Sequence, residues 1–388
     1  MKILFLSYYF KPDLSAGSFR NTALAKEIAK QLSKNSSIDV LTTTPNRYSS
    51  YNVISKNNEY FEGINIYRIK VANHGNNIFN QSKSFLFFFL GSIKFVFNKD
   101  YDLIYASSGR LMTAFLAAII AKYKKVPLYL DIRDIFLETI LEILPKKYSY
   151  FLRGPINLIE NYTINKAKKI NLVSEGFKEY FINKYKNLNL SYYTNGIDKI
   201  FLNKPVINIE KKDKKIILYA GNIGDGQALD KILPNLALKL KNKFNFVIIG
   251  DGSKLEILKK EIKKLNLNNI QFIKPLSRDK LILHYLKSDI LFLHLDEKLA
   301  FQKVLPSKIF EYASSNKPIL AGVSGYPKNF IEKNIDNSAV FQPCNIKEAL
   351  IALEKLDLAH TPRENFINRY NRIKIMKNMA EDILNNIY

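Results

Sequence analysis

Two charged residues three positions apart, Lys308 and Glu311, lie inside the mostly apolar segment "LPSKIFEYASSNKPIL" (residues 305–320). A helix opened near Pro306 would place both side chains on one side. A lysine there can set its charge against a pyrophosphate, and a glutamate can accept hydrogen bonds from two ribose hydroxyls. The alternative is a surface ion pair worth roughly a few tenths of a kcal/mol. The segment follows the predicted strand "DILFLHL", and this position favours a ligand site.

A second group of charges ends the apolar run in "LDIRDIFLE", where Asp131, Arg133 and Asp134 follow one another closely. Charged side chains at the end of a buried strand are typical of the ligand-binding edge of a parallel sheet. A carboxylate in that place can orient or deprotonate an acceptor hydroxyl. The alternative is a strand end closed by a salt bridge. Because two acidic residues flank an arginine at this position, we nevertheless predict a catalytic role for Asp131 and Asp134.

Three glycine-containing turns follow predicted strands. In "KPDLSAGSFR" (11–20), Gly17 and Ser18 allow a backbone to approach an anionic group, and Arg20 comes at the start of a predicted helix. An ordinary strand–helix turn is the alternative there. The other two turns are "YAGNIGDGQ" (219–227) and "IIGDGS" (248–253). None of them has the spacing of a nicotinamide-dinucleotide fingerprint or of a P-loop.

The order of predicted elements indicates the fold that would position these groups. Short apolar runs alternate with amphipathic stretches from the first strand, "KILFLSYY", onward, and the pattern restarts after "YYTNGID" (192–198). This alternation predicts an α/β protein with two doubly wound, Rossmann-like domains. We expect domains at residues 1–195 and 196–365, a ligand in a central cleft between them, and a helical tail at 366–388.

Composition narrows the classes of function. The 388 residues include 59 Lys and Arg against 35 Asp and Glu, a net charge of +24 that attracts phosphate-rich partners. Solvated lysines of a Lys- and Asn-rich chain are the alternative explanation. The sequence has no arginine-rich arm and no recognised motif of a nucleic-acid-binding domain, which argues against nucleic-acid binding. The single cysteine excludes an internal disulfide framework, and four scattered histidines predict no metal site.

The segment "KSFLFFFLGSIKFVFNK" (83–99) has two readings. Its apolar run is shorter than the roughly 20 residues that a spanning helix needs. It fits a helix that dips into a membrane interface, with lysines at its edges, and equally a core helix of the first domain. The sequence thus predicts a chain without a transmembrane helix, either soluble or peripheral.

In this order, "AGSFR", "TNGID", "YAGNIG", "IIGDG" and "LPSKIFEYASSNKPIL" resemble the retaining glycosyltransferases of family 4, which have the GT-B fold. The likeness is strongest to bacterial enzymes of surface polysaccharide synthesis, including O-antigen amino-sugar transferases. It implies a nucleotide-sugar donor on the C-terminal domain, an acceptor on the N-terminal domain and a last helix crossing back. It also implies a metal-free and cofactor-free reaction on a lipid-linked glycan, at the inner face of the cytoplasmic membrane.

The resemblance assigns residues as well. Glu311 corresponds to the second glutamate of the family's E-x7-E motif, and the first falls on Lys303, where this chain departs from the pattern. The family often has Arg and Lys against the diphosphate, at positions that are Asn222 and Gln227 here. We expect Lys308, with the Gly17 backbone and Arg20, to supply that charge, and we place Ser18 and Gly252 in the same donor site. The alternatives are a sugar-nucleotide 2-epimerase and a non-catalytic homologue that acts as a binding partner.

Overall fold

The computed structural model describes residues 1–46, 53, 55–71, 78–143, 146–203, 205 and 213–385. The chain forms two compact units. The first consists of Met1–Asn195 together with Arg372–Tyr388, and the second of Gly196–Asn371. Each unit is built around one mainly parallel β-sheet.

The first unit has an eight-stranded sheet in the order β3-β4-β2-β1-β5-β6-β7-β8, in which only the β3–β4 pair is antiparallel. Its elements are β1 (Lys2–Leu6), α1 (Ala16–Gln31), β2 (Ser37–Thr43), β3 (Asn58–Phe61), β4 (Ile64–Ile69), α2 (Ile78–Val96), β5 (Leu103–Ser107), α3 (Leu111–Lys124), β6 (Leu128–Ile132), α4 (Phe136–Ile143), α5 (Lys146–Lys166), β7 (Lys169–Leu172), α6 (Lys178–Lys184) and β8 (Leu190–Ser191).

The order of strands decides which helices share a face of this sheet. The chain steps one way from β1 to β2, and the opposite way from β4 to β5, from β5 to β6 and from β6 to β7. Because crossovers between parallel strands are right-handed, α1 covers one face and the helices α2, α3 and α5 cover the other. The strands between them are almost entirely apolar and buried, as expected for a sheet covered on both sides.

The second unit has a six-stranded parallel sheet in the order β11-β10-β9-β12-β13-β14. Its elements are α7 (Lys199–Leu202), β9 (Lys215–Ala220), α8 (Leu229–Leu240), β10 (Phe244–Ile249), α9 (Leu255–Lys264), β11 (Ile270–Ile273), α10 (Arg278–Lys287), β12 (Ile290–His294), α11 (Lys308–Ser314), β13 (Ile319–Gly322), α12 (Tyr326–Asn334), β14 (Ser338–Phe341), α13 (Ile346–Glu354) and α14 (Glu364–Arg369).

The last helix, α15 (Arg372–Asn385), belongs to the first unit. Met376 and Met379 are fully buried with Leu24 and Ile28 of α1, in the same core cluster. The second unit ends at Asn371 rather than at residue 365, because α14 packs in its core. The ring of Phe366 in α14 lies 6.1 Å from that of Phe310.

Helix α2 has two different sides. Phe85 and Phe88 are buried, and the Phe88 ring lies 5.3 Å from Tyr8 in the core. Leu86 and Phe87 are exposed. The core reading of this segment therefore holds for one side of the helix only. Within the described ranges, no helix has the length and apolar character needed to cross a bilayer.

Candidate functional site

Lys308 opens α11 and reaches across the carboxyl end of β9. A β-carbon added at Gly221, the residue after β9, would stand 2.1 Å from Lys308 Cε and 2.4 Å from its Nζ. The Nζ atom also lies 5.0 Å from the centre of the Tyr219 ring. Glycine at position 221 thus makes room for the lysine side chain, and a positive charge lies at the strand end where parallel sheets bind ligands.

Glu311 lies one turn further along α11 and is buried. Its carboxylate accepts hydrogen bonds from Arg278 Nη2 at 3.1 Å and from the Tyr285 hydroxyl at 3.3 Å. Burial, and then the Glu311 charge, raise the pKa of Tyr285 well above its ordinary value, so this hydroxyl stays a donor. Arg278 also pairs with Asp198, in the "TNGID" segment. Since a carboxylate has about four acceptor positions, Glu311 is oriented by two donors and can accept from others.

Asn222 and Gln227 bond to each other within the turn after β9. The Asn222 amide donates to Gln227 Oε1 at 2.8 Å, and the Gly224 backbone amide donates to the same oxygen at 3.3 Å. Both side chains therefore brace the turn, next to the strand end that carries Lys308. Gly252 has a packing role, since an added β-carbon would stand 2.4 Å from the Ile223 carbonyl oxygen.

His294, which the sequence analysis did not single out, holds the same turn from the end of β12. Its Nδ1 lies 2.8 Å from the Gln227 carbonyl oxygen, and its Nε2 lies 3.0 Å from the Cys344 backbone nitrogen. A carbonyl only accepts and an amide only donates, so Nδ1 carries the proton and the ring is neutral. Burial lowers the pKa of His294 to about 4. Gly322 leaves the space, because a β-carbon there would stand 2.2 Å from His294 Cδ2.

In the first unit, Arg20 and Asp131 form an ion pair that is fully buried. Arg20 donates to both carboxylate oxygens of Asp131, at 2.8 and 2.9 Å, and to the backbone carbonyls of Tyr193 and Thr194. Burial alone would raise the pKa of Asp131, but the Arg20 charge and hydrogen bonds hold it below its ordinary value. The predictions that Arg20 contacts a phosphate and that Asp131 acts on the acceptor are therefore wrong, because both groups are engaged inside the core.

Arg133, rather than Arg20, lies beside the Gly17 turn. A β-carbon added at Gly17 would stand 3.8 Å from Arg133 Cζ. The Arg133 Nη1 atom is buried and has no hydrogen-bond partner among the residues that the structure describes. The backbone amide of Ser18 donates to the Ser15 hydroxyl, which caps α1, and the Ser18 side chain is buried. This corrects the prediction for Ser18, whose amide is already occupied by the cap.

Asp134 follows β6 and lines a small cavity of about 10 Å³, together with Ser108 and Glu160. Burial raises the pKa of Asp134 to about 6, and the nearby Arg133 charge only partly opposes this shift. A carboxylate with that pKa is mostly ionised at neutral pH and can accept a hydrogen bond from a hydroxyl. Asp134 lies outside the Arg20–Asp131 ion pair, and its catalytic role stays a prediction.

Lys303 follows the 3₁₀ turn Leu299–Gln302 and is partly exposed, five residues before the start of α11. The structure thus gathers Lys308, Glu311, Asn222, Gln227 and Gly252 around the carboxyl ends of β9 and β10 and the start of α11. Across the described ranges, no group of three or more His, Cys, Asp or Glu side chains could hold a metal ion.

The second unit is similar to a known protein family. Residues 202–372 match the family model described as "Glycosyl transferases group 1". The second unit is therefore similar to this family over almost its whole length. Lys308 and Glu311 both lie within the matched residues.

Two curated proteins are similar over part of the chain. The glycosyltransferase WbjE of Pseudomonas aeruginosa is 30% identical over 118 residues, which cover 30% of this chain and 29% of WbjE. The colanic acid biosynthesis glycosyl transferase WcaI of Escherichia coli K12 is 34% identical over 97 residues, 25% of this chain and 24% of WcaI. The match thus spans less than a third of either relative.

Solved structures are similar over almost the whole chain. Anabaena HepE in complex with UDP-glucose has a TM-score of 0.71 at 17% identity and covers 99% of both chains. The sucrose-phosphate synthase of Thermosynechococcus elongatus has a TM-score of 0.76 at 12% identity, with 98% of both chains covered. These likenesses confirm the predicted fold class, two doubly wound α/β units as in GT-B proteins.

Proposed function

We propose that this chain is a retaining glycosyltransferase. It moves a sugar from a nucleotide-sugar donor to a hydroxyl of a growing, lipid-linked glycan in surface polysaccharide synthesis. The observation that carries the proposal is the arrangement at the end of β9, where the Lys308 ammonium lies across Gly221 and Glu311 is held by Arg278. The group 1 match of the second unit and the names of WbjE and WcaI support it.

In this proposal the second unit binds the donor. Lys308 stabilises the negative charge that develops on the departing nucleoside diphosphate, as cationic donors do when a bond to phosphate breaks. Glu311, oriented by Arg278 and Tyr285, accepts hydrogen bonds from the ribose hydroxyls. We assign a UDP-linked donor, in line with HepE, and an N-acetylamino sugar, from the resemblance to amino-sugar transferases. No metal ion takes part.

The first unit then binds the acceptor. Asp134 orients the acceptor hydroxyl, and its pKa of about 6 leaves it mostly ionised at neutral pH. Arg133, beside Gly17, supplies the positive charge that we first expected from Arg20. The acceptor attacks from the face that the leaving group vacates, so the anomeric configuration is retained. With a lipid-linked acceptor, the enzyme works at the cytoplasmic face of the membrane.

The test is binding and turnover with a panel of UDP-, GDP-, ADP- and CMP-sugars, measured first as shifts in melting temperature. We expect one class of nucleotide to stabilise the wild type. Glu311→Gln should lower the melting temperature of the free protein, because Arg278 loses a charged partner, and should also reduce the shift that the nucleotide produces. The second part follows release of nucleoside diphosphate with and without a glycan acceptor. Full turnover by Glu311→Gln would remove the basis of the site assignment.

The same assay separates the alternatives. A sugar-nucleotide 2-epimerase would convert one nucleotide sugar into another without any acceptor, and a non-catalytic homologue would bind the donor without turning it over. Acceptor-dependent release of the nucleoside diphosphate distinguishes transfer from both. Activity that disappears with a chelator and returns with a divalent ion would contradict the metal-free part of the proposal.

A further inference from the structure

Exposed apolar side chains are concentrated on one layer of the first unit. Among the described residues, 18 large apolar side chains are exposed, and ten of them belong to α2, α3 and α5 or directly follow α2. These ten include six of the seven exposed aromatic side chains. Because the three helices cover the same face of the sheet, the exposed groups belong to one surface, which we call the aromatic layer.

Helix α2 contributes one stripe of this aromatic layer. Lys83, Leu86, Phe87, Leu90 and Lys94 are all exposed and recur at intervals of three or four residues, so they lie on one side of the helix. Leu86 is 56% exposed, Phe87 50% and Leu90 58%. The opposite side of α2 packs in the core. An apolar stripe between two lysines is therefore left facing solvent.

The position of α5 follows from its contacts. Glu160 and Thr163 line the small cavity with Ser108 and Asp134, which follow the carboxyl ends of β5 and β6. A helix of 21 residues is about 31 Å long, whereas the five-residue strand β6 spans about 17 Å. The first half of α5, residues 147–158, therefore projects beyond the carboxyl edge of the sheet.

This projecting half is richly aromatic and almost uncovered. Tyr148 is 60% exposed, Tyr150 80% and Phe151 68%. Lys147 and Arg153 flank them and are also exposed. A sequence such as this cannot be explained by packing within the first unit, because none of the three aromatic side chains is buried.

The charge of the layer is mainly positive. Helices α2, α3 and α5 together contain eight Lys and Arg residues and one acidic residue, Glu160. Glu160 is buried and paired with Lys184 and the Tyr180 hydroxyl, so it does not contribute a negative charge at the surface. Asp100, which follows α2, is exposed and pairs with Lys124 of α3, so the surface is mainly rather than only positive. Exposed aromatic groups among mainly positive charges complement a surface that is apolar inside and anionic outside.

We propose that the aromatic layer docks on an anionic lipid bilayer, with Tyr148, Tyr150 and Phe151 at the level of the headgroups and Lys147 and Arg153 against lipid phosphates. A second copy of the chain is a poorer occupant, because a symmetric contact would bring like charges together. The inference rests on the proposed function, because docking is useful only if the acceptor is lipid-linked. The helix α5 projects from the edge of the sheet where Asp134 would hold that acceptor.

The experiment is sedimentation of the full chain with vesicles of phosphatidylglycerol and phosphatidylcholine. The triple variant Tyr148→Ser, Tyr150→Ser, Phe151→Ser is expected to lose at least about tenfold in vesicle affinity. The matched control, Ile257→Ser with Ile351→Ser, replaces exposed apolar residues of the second unit and is expected to bind as the wild type does. Stabilisation by UDP, measured in parallel, should be unchanged in both variants.

A second variant tests the proposal independently, in case the first does not fold. Lys147→Glu with Arg153→Glu changes only exposed charges and is expected to abolish the preference for anionic over neutral vesicles. Wild-type affinity of both α5 variants would overturn the docking proposal, as would sedimentation that does not depend on vesicles. If UDP does not stabilise the wild type, the proposed function would instead be overturned, and the docking result would be unaffected.

Discussion

Arg20→Met tests whether the buried ion pair is structural or contacts a ligand. The change keeps an apolar stem of similar length but removes two hydrogen bonds to Asp131 and two to backbone carbonyls. Among the described residues, it leaves the Asp131 carboxylate in the core with the side chains of Tyr105 and Asn171 as its hydrogen-bond donors. Removing one partner of a buried pair costs about 3–5 kcal/mol. In a unit of about 200 residues this lowers the melting temperature by roughly 6–20 °C.

The measurement is a thermal melt followed by circular dichroism, combined with equilibrium binding of the nucleotide sugar well below the transition. We expect a large fall in melting temperature and an unchanged donor affinity. The matched double variant, Arg20→Met with Asp131→Leu, removes both charges and should recover part of the lost stability. The reasoning would be refuted by an unchanged melting temperature together with a lost donor affinity, since Arg20 would then be a ligand-binding residue.

Three further outcomes are expected. Lys308→Met should lower kcat/KM by about 10²–10³, whereas the exposed Lys239→Met should not, and a loss below threefold would contradict the phosphate role. Transfer should rise with pH through about 6 as Asp134 ionises, and Asp134→Asn should show a low rate without that rise. Because the folded pKa of His294 is about 4 and its unfolded pKa about 6.5, the unfolded chain binds the proton more readily between these values. The second unit should therefore lose about 2 kcal/mol between pH 7 and 5, measured by hydrogen exchange at β12, and His294→Asn should flatten that slope.

The alternation of strands and helices could be predicted because it depends on local patterns. Lys308 and Glu311 could also be predicted, since two residues three positions apart on one helix carry the whole signal. Their partners were not: Arg278 precedes Glu311 by 33 residues, and only the folded sheet brings the two together. His294 gave no signal either, because a histidine at the end of an apolar strand reads as core, and its two backbone partners are far away in sequence.

The error at Asp131 has a geometric cause. The sequence shows that charges end an apolar run, but it does not show where the strand stops or which face each side chain points to. Asp131 lies inside β6 and meets Arg20 of α1, while Asp134 lies past the strand end. The same limit applies to α2. Its run of phenylalanines makes every side of the helix look equally apolar in the sequence, and only the fold shows which side packs on the sheet.

The return of α15 to the first unit has a consequence for how the protein is made. During synthesis the first 195 residues leave the ribosome long before Met376 and Met379 exist to cover α1. At about 5–20 residues per second, this interval lasts roughly 10–40 s. During this interval the apolar side chains of α1 that α15 later covers are exposed, and a chaperone can bind them. A nonsense mutation near codon 372 would damage the part of the protein that was translated first.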